Sequence, residues 1–404
     1  MMWDLEGDFL FYIFDYLSPS NDLSVIAMSS VKMRDAVLVY KASYIVNFKR
    51  RHPLLFNIQL KDHNTVLEVF KRIILTQILI IGDTPGSRQC TKFHTKIGVS
   101  RSCSMDIKRD AESTAVFYKG LVIAISGAEG LSISTVEYYD ILRNIWLELP
   151  SLPNAITSSA ATVHKGKVYL IGGYDRTQSK RIRDIIVLND EFLSSKPPPP
   201  STVFWSKHHI KLFEPRSFHA AVTYRNEIWI VGGFTSNRIQ PDRTVELFDP
   251  ISGIIRPGPP TIHARVRCKL LVVNNELYAI GGDGNGYAYD DSTIEKYDVY
   301  TKKWVLVTEF PCVRRRCCVA VYKNLIYVFG GVLKDISKRD YYDTATGKWG
   351  SEVRSIEGNH QLSTTTNGIA AATVLPSLPV KCFNERSNHN MTGSIAVSME
   401  YHIN

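Results

Sequence analysis

The chain has 404 residues, 44% hydrophobic and 22% charged, with a formal net charge of +9. That balance is ordinary for a globular protein and excludes a fibrous or wholly disordered class. The net charge permits acidic partners, but the basic residues are spread along the sequence instead of forming an arm, so nucleic-acid binding is not expected.

The N-terminus mixes Asp4, Glu6 and Asp8 among its apolar residues, unlike a signal peptide. The apolar run at 73–81 is broken by Thr76 and Gln77 and is too short to span a bilayer. The seven cysteines include no Cys-x-x-Cys pair. These features predict a cytoplasmic, membrane-free protein with reduced thiols.

In residues 1–72 the apolar positions of 9–17 and 31–40 recur every three or four residues, which predicts a small helical module interrupted by the breaker stretch at 18–22. From residue 75 the period changes. Glycine doublets stand at Gly172-Gly173, Gly232-Gly233, Gly281-Gly282 and Gly330-Gly331, with imperfect copies at Ser126-Gly127 and Gly82-Asp83. The successive intervals run from 44 to 60 residues, so six units are predicted.

Each unit has one grammar. A turn such as Lys165-Gly166, Arg225-Asn226 or Asn274-Asn275 precedes an apolar run that ends in the glycines. This predicts a hairpin whose second strand stops where backbones crowd and positive φ is needed. A third strand carries an aromatic-Asp pair (Tyr139-Asp140, Phe248-Asp249, Tyr297-Asp298, Tyr342-Asp343), and six residues beyond each Asp comes Trp146, Ile255, Trp304 or Trp349. Four strands per unit, repeated in phase, predict an all-β, six-bladed propeller over 75–375. The Trp is expected between blades and the Asp at the turn joining the two outer strands. The run at 368–375 lacks a sequel and the strand at 76–83 lacks a forerunner, so the two are expected to complete one blade. The long interval after Gly172 reflects an insertion around 189–212 containing Pro197–Pro200. Residues 376–404 lack the pattern and read as a polar tail.

This Gly-Gly, Tyr-Asp, Trp grammar resembles the kelch repeat. In the helical module, the stretch at 21–60 resembles the BACK domain of kelch-like proteins, with an F-box as the alternative. The BTB domain that precedes BACK in that family has no counterpart here. The resemblance implies a substrate-recognition adaptor of a cullin-RING ubiquitin ligase that contacts a cullin through the helical module. The other readings are an actin-associated kelch scaffold and an F-box/kelch adaptor.

Chemistry is harder to find. His208-His209 fall in the insertion, where paired histidines are expected to be solvated. Cys317-Cys318 lead into a strand and are expected to be inert. Residues 281–286 have neither the spacing nor the following helix of a phosphate loop. No catalytic set, cofactor or metal site is expected. Arg216, Arg265 and Arg314 recur at intervals of 49, each sixteen residues before its Gly-Gly, and are expected at the start of the innermost strands. The resemblance implies a structural role for them and a pocket-facing role two residues on. At that phase stand Ser158, Phe218, Arg267 and Arg316, backed by Arg315. A mouth carrying these residues is expected to grip an acidic peptide segment of a partner.

Overall fold

The computed structural model describes residues 78–81, 88–94, 98–109, 113–127, 134–141, 143–189, 204–235, 240–282, 293–311, 317–329, 338–353 and 370–373, together with Ala42, Ile45 and Val46. Six four-stranded sheets hold most of the strands among them. Numbered in chain order from the one containing Ile78–Ile81, they are blades I to VI. The innermost strands are Ala370–Thr373 in blade I, Thr114–Tyr118 in II, Ala160–His164 in III, Ala220–Tyr224 in IV, Lys269–Val273 in V and Cys318–Tyr322 in VI. Each of these touches the next and the last touches the first, so the sheets close into a ring.

Blade I is built from both ends of this region. Ala370–Thr373 pairs antiparallel with Ile78–Ile81, with Ile78 opposite Thr373 and Ile81 opposite Ala370. An edge that would otherwise present unpaired amides is covered by the far end of the chain.

The side-chain pattern follows from how blades pack. Second strands lie between two neighbouring sheets, so both faces are buried and the sequence reads as continuous apolar runs, as in Leu121–Ile125. Near the axis the sheets converge and small residues fit: Ala115, Ala160, Ala161, Ala220 and Ala320 are all buried. Outer strands are more exposed, as in Ile145–Leu149, where Ile145 and Glu148 are exposed and Trp146 and Leu149 buried. First and second strands are joined by two-residue turns whose residues have positive φ, such as Arg225 (48°) and Asn226 (66°) or Asn274 (49°) and Asn275 (58°). Such turns match the strand twist.

The aromatic-Asp and Trp positions do structural work. Asp298 Oδ1 accepts from the Tyr300 amide at 2.9 Å, and Asp343 Oδ1 accepts from the Ala345 amide at 2.9 Å, closing the outer turns. Trp304 Nε1 donates to Pro259 O at 2.9 Å, and its ring meets Trp229 of blade IV at 6.2 Å. Trp349 Nε1 donates to Thr308 Oγ1 of blade V at 3.2 Å. Trp146 is buried, and Ile255 packs against the core shared with blade III.

Two expectations need correcting. His208 and His209 are not in a loop. They belong to Trp205–Lys211, the outermost strand of blade III, where the rings stack at 4.4 Å and His208 abuts Phe248 of blade IV at 5.2 Å. The Trp of blade III is therefore Trp205, whose Nε1 donates to Pro150 O at 2.8 Å, and the insertion hid it by separating it from its repeat spacing. Arg216 and Arg265 do not start innermost strands: Arg216–Ser217 bridges to Phe234–Thr235, and the innermost strand begins at Ala220. Gly330, Gly331, Arg314, Arg315 and Arg316 lie outside the described residues, as do nearly all of 1–72 and all of 376–404. Ala42, Ile45 and Val46 are helical, and Ile45 is buried against the core of blades I to III.

Candidate functional site

The chain enters the innermost strands from one end of the ring, the same end at which Gly172-Gly173, Gly232-Gly233 and Gly281-Gly282 terminate second strands. This end is the mouth. Its construction begins with the arginines. Arg216 Nε donates to Glu246 Oε1 at 2.8 Å and Nη1 donates to Gly232 O at 2.9 Å. Arg265 repeats this one blade later, with Nη2 to Glu295 Oε1 at 2.7 Å and Nη1 to Gly281 O at 2.6 Å. Arg109 does so in blade II, with Nη2 to Glu137 Oε2 at 2.8 Å and Nη1 to Ser126 O at 2.5 Å. All three arginines are almost wholly buried.

Each arginine also reaches backwards through its main chain. Arg216 O accepts from Gly173 N at 2.7 Å, and Arg265 O accepts from Gly233 N at 2.8 Å. The doublets thus serve as seats for the next blade. A Cβ on Gly232 would lie 2.3 Å from Arg265 O, and one on Gly172 would lie 2.8 Å from Arg216 O. Both doublets, and Gly281-Gly282, have positive φ throughout.

The acids that hold the arginines stand three residues before the Asp of each aromatic-Asp pair: Glu137, Glu246 and Glu295, with buried Asp340 at that position in blade VI. Blade III has Ile186 there and Ile156 at the arginine position, and both sit in one apolar cluster. Sequence reading found Arg216 and Arg265 but missed Arg109 and every acid. The signal was available: an acid at fixed phase in four of the five units, and an arginine 17 residues before Ser126-Gly127.

Two residues beyond Ile156, Arg216 and Arg265, the structure brings together Ser158, Phe218 and Arg267. All three are left-handed, with φ of 54°, 57° and 59°. Phe218 N donates to Ser158 O at 2.8 Å and Arg267 N donates to Phe218 O at 2.7 Å, forming a ladder across blades III, IV and V. A left-handed Phe is uncommon and is held only where its surroundings fix it, as these bonds do.

The side chains above this ladder form a row. The Arg267 guanidinium lies 4.2 Å from the Phe218 ring centroid. Phe218 meets Phe234 edge-on at 6.0 Å, and the Arg181 guanidinium lies 5.5 Å from Phe234. Arg181 Nε also donates to Ser217 Oγ at 3.0 Å. Burial pulls the Arg181 pKa below its ordinary value, as expected of a guanidinium partly stripped of water. The order is cation, ring, ring, cation, with every member half-buried. The cation–π contacts restrain both guanidinium groups beside the rings. Ser158 itself is buried below the row.

The loops around the row are basic outward and acidic inward. Arg176, Lys180, Arg183 and Arg243 are exposed. Asp175 is buried and accepts from the Thr177 and Gln178 amides and from Asn154 Nδ2. Asp242 accepts from Thr235 Oγ1 at 3.0 Å and from the Thr244 amide at 2.9 Å. Burial alone would raise the Asp242 pKa, but these bonds and the Arg216 charge hold it below the usual carboxylate range. Glu214 is the counter-example, an exposed acid on this face. Among the described residues no three His, Cys, Asp or Glu side chains are grouped to hold a metal ion. Cys317 and Cys318 are both buried. No helix among the described residues is long and apolar enough to cross a membrane.

A closed six-bladed ring with glycine doublets at one mouth and interblade tryptophans defines a kelch-type propeller. Residues 112–331, more than half of the chain, match the KLHDC2/KLHL20/DRC7 kelch-repeats domain family, and the chain belongs to it. It is similar to Kelch-like protein 23 of Mus musculus, 29% identical over 219 residues covering 52% of this chain and 35% of the relative. It is also similar to Kelch repeat protein M-T8 of Myxoma virus (strain Lausanne), 28% identical over 207 residues covering 50% of this chain and 36% of the relative. The matched segment thus spans only about a third of each relative. Among solved structures, that of YjhT superposes with a TM-score of 0.54 at 15% identity, covering 68% of this chain and 94% of that one, a likeness of fold alone.

Proposed function

We propose that the chain is a protein-recognition module whose propeller mouth grips an acidic segment of a partner, and that it presents this partner as the substrate adaptor of a cullin-RING ubiquitin ligase. The observation that carries the first part is the row Arg267, Phe218, Phe234 and Arg181, ringed by exposed bases. Immobilised guanidinium groups recognise carboxylates with fixed geometry, and a surface of one sign speeds the encounter. The rigid ladder beneath supplies preorganisation, so little ordering entropy is lost on binding. The adaptor role rests on membership of the kelch-repeat family and on likeness to a kelch-like protein. An actin-associated scaffold and an F-box type of adaptor are separated from it by the experiment.

The test is affinity purification of the full chain from cells, followed by identification of co-purifying cullin, Skp-type linker or actin. A cullin supports the adaptor reading. Actin, or a Skp-type linker without direct cullin capture, replaces it with the corresponding alternative. In the same experiment Arg267→Glu is expected to lower capture of the partner bound at the mouth roughly tenfold or more. Unchanged capture removes the mouth as the binding surface.

A further inference from the structure

Two aromatic rings stand between the cations at the mouth. Phe218 and Phe234 separate Arg267 from Arg181, and both phenylalanines keep part of their surface in solvent. Their ring planes meet at 87°, so the pair forms a right-angled apolar corner. Neither phenylalanine joins any of the hydrophobic core clusters of the blades among the described residues. Carboxylates draw nothing from such a corner, whereas an apolar side chain laid in it leaves water.

Both rings are carried on fixed backbone. Phe218 is left-handed, with φ of 57°, and is tied by the ladder bonds to Ser158 and Arg267. A bulky residue in that region is costly, and such positions cluster where ligands are clamped. Phe234 pairs with Ser217 on one side and bridges to Pro241 on the other. The spacing then sets a register. Successive steps along the row are 4.2, 6.0 and 5.5 Å, so the two guanidinium carbons are at most about 16 Å apart. In an extended chain alternate side chains share a face and advance by about 6.6 Å from one to the next. Acids four residues apart therefore stand about 13 Å apart at their Cα atoms, and their side chains cover the remainder. The residue midway between them faces the same way and falls over the corner.

We propose that the segment gripped at the mouth is extended and carries a large apolar residue midway between two acids four positions apart. The apolar side chain lies in the corner of Phe218 and Phe234, while the acids reach Arg267 and Arg181. The requirement rests on the mouth being an acid-binding surface, and adds to it an apolar anchor and a spacing. Burying one such side chain supplies affinity that charge alone does not, and it discriminates among acidic segments.

The test is fluorescence anisotropy of the full chain with blocked, labelled peptides in glycine-serine flanks. The parent core is Asp-Ser-Leu-Ser-Asp. One relative has Ser for Leu, one places the two Asp side by side ahead of the Leu, and one has Asn for both Asp. The parent is expected to bind, and each relative to bind more weakly by roughly tenfold or more. With Phe234→Ser, or Phe234→Asn should that variant unfold, the parent is expected to fall to the affinity of its Leu-free relative. Failure of every acid-bearing peptide to bind wild type overturns the mouth reading and this proposal with it. Equal binding by the parent and either the Leu-free or the adjacent-Asp peptide overturns this proposal alone, as does a parent unaffected by the Phe234 variants.

Discussion

Arg216 belongs to two blades at once: its carbonyl accepts from Gly173 N of blade III at 2.7 Å, while its guanidinium donates to Glu246 of blade IV at 2.8 Å. Arg265 repeats the relationship with Gly233 and Glu295 one blade on. The glycine doublet and the arginine sixteen residues before the next one are therefore two halves of a single joint. The mouth inherits its rigidity from these joints, because Phe218 and Arg267 follow them by two residues.

The joint makes the glycines sensitive to any side chain. Gly232→Ala places a Cβ against Arg265 O, a backbone atom that cannot swing aside. It should cost about 3 kcal/mol of stability in urea unfolding. Gly166→Ala has a similar φ of +74° but nothing within 4 Å of the new Cβ. That control should cost only about 1 kcal/mol, from backbone strain alone.

Removing one partner of the buried ion pair is the harsher change. Glu246→Gln leaves the Arg216 guanidinium, 2% exposed, without its carboxylate. A loss of about 3–5 kcal/mol is expected, whereas replacing both residues by apolar ones of similar volume should cost much less.

The pairs also predict an acid response. Burial alone would raise the Glu295 pKa above its ordinary 4.5, but the Arg265 charge and hydrogen bond, the Ile262 amide and His263 together hold it lower. A carboxyl depressed in the folded state stabilises the fold above its unfolded pKa and loses that contribution as pH falls through the folded value. The urea midpoint of wild type should therefore hold its margin over Glu295→Gln above about pH 5 and lose it progressively in acid. Parallel curves across that range would show that the pair does not titrate with folding.

Much of this was legible in the sequence, for identifiable reasons. Period, strand number and the aromatic-Asp and Trp positions are set by packing that recurs in every blade, so they repeat in the text. Positive φ can be read from glycine, which is why the doublets stood out. What escaped recognition either occurs at a broken spacing or joins residues far apart. Trp205 was hidden by the insertion, and Arg109 by the Ser126-Gly127 copy with its interval of 17 in place of 16. The acids Glu246 and Glu295 lie 30 residues from their arginines, across two strands. The row at the mouth includes Phe234 and Arg181, which no repeat position marks; only the bridge between Arg216–Ser217 and Phe234–Thr235 and the bond from Arg181 to Ser217 bring them to Phe218.

Tryptophan positions can be probed directly. Trp304→Phe keeps an aromatic ring between blades IV and V but deletes the bond to Pro259 O. Stability should fall by about 1–2 kcal/mol. No change would mean that the ring alone joins the blades.

The most direct measurement of the central claim is site-specific photocrosslinking of the full chain in cells, with a photoreactive phenylalanine analogue at either of two positions. Phe218 lies in the row at the mouth, and Tyr300, 93% exposed, lies on an outer turn at the opposite end of the ring. Partner adducts from position 218, mapping to an acidic segment and absent from position 300, are what the mouth reading predicts. Adducts from position 300 with none from 218 would contradict it.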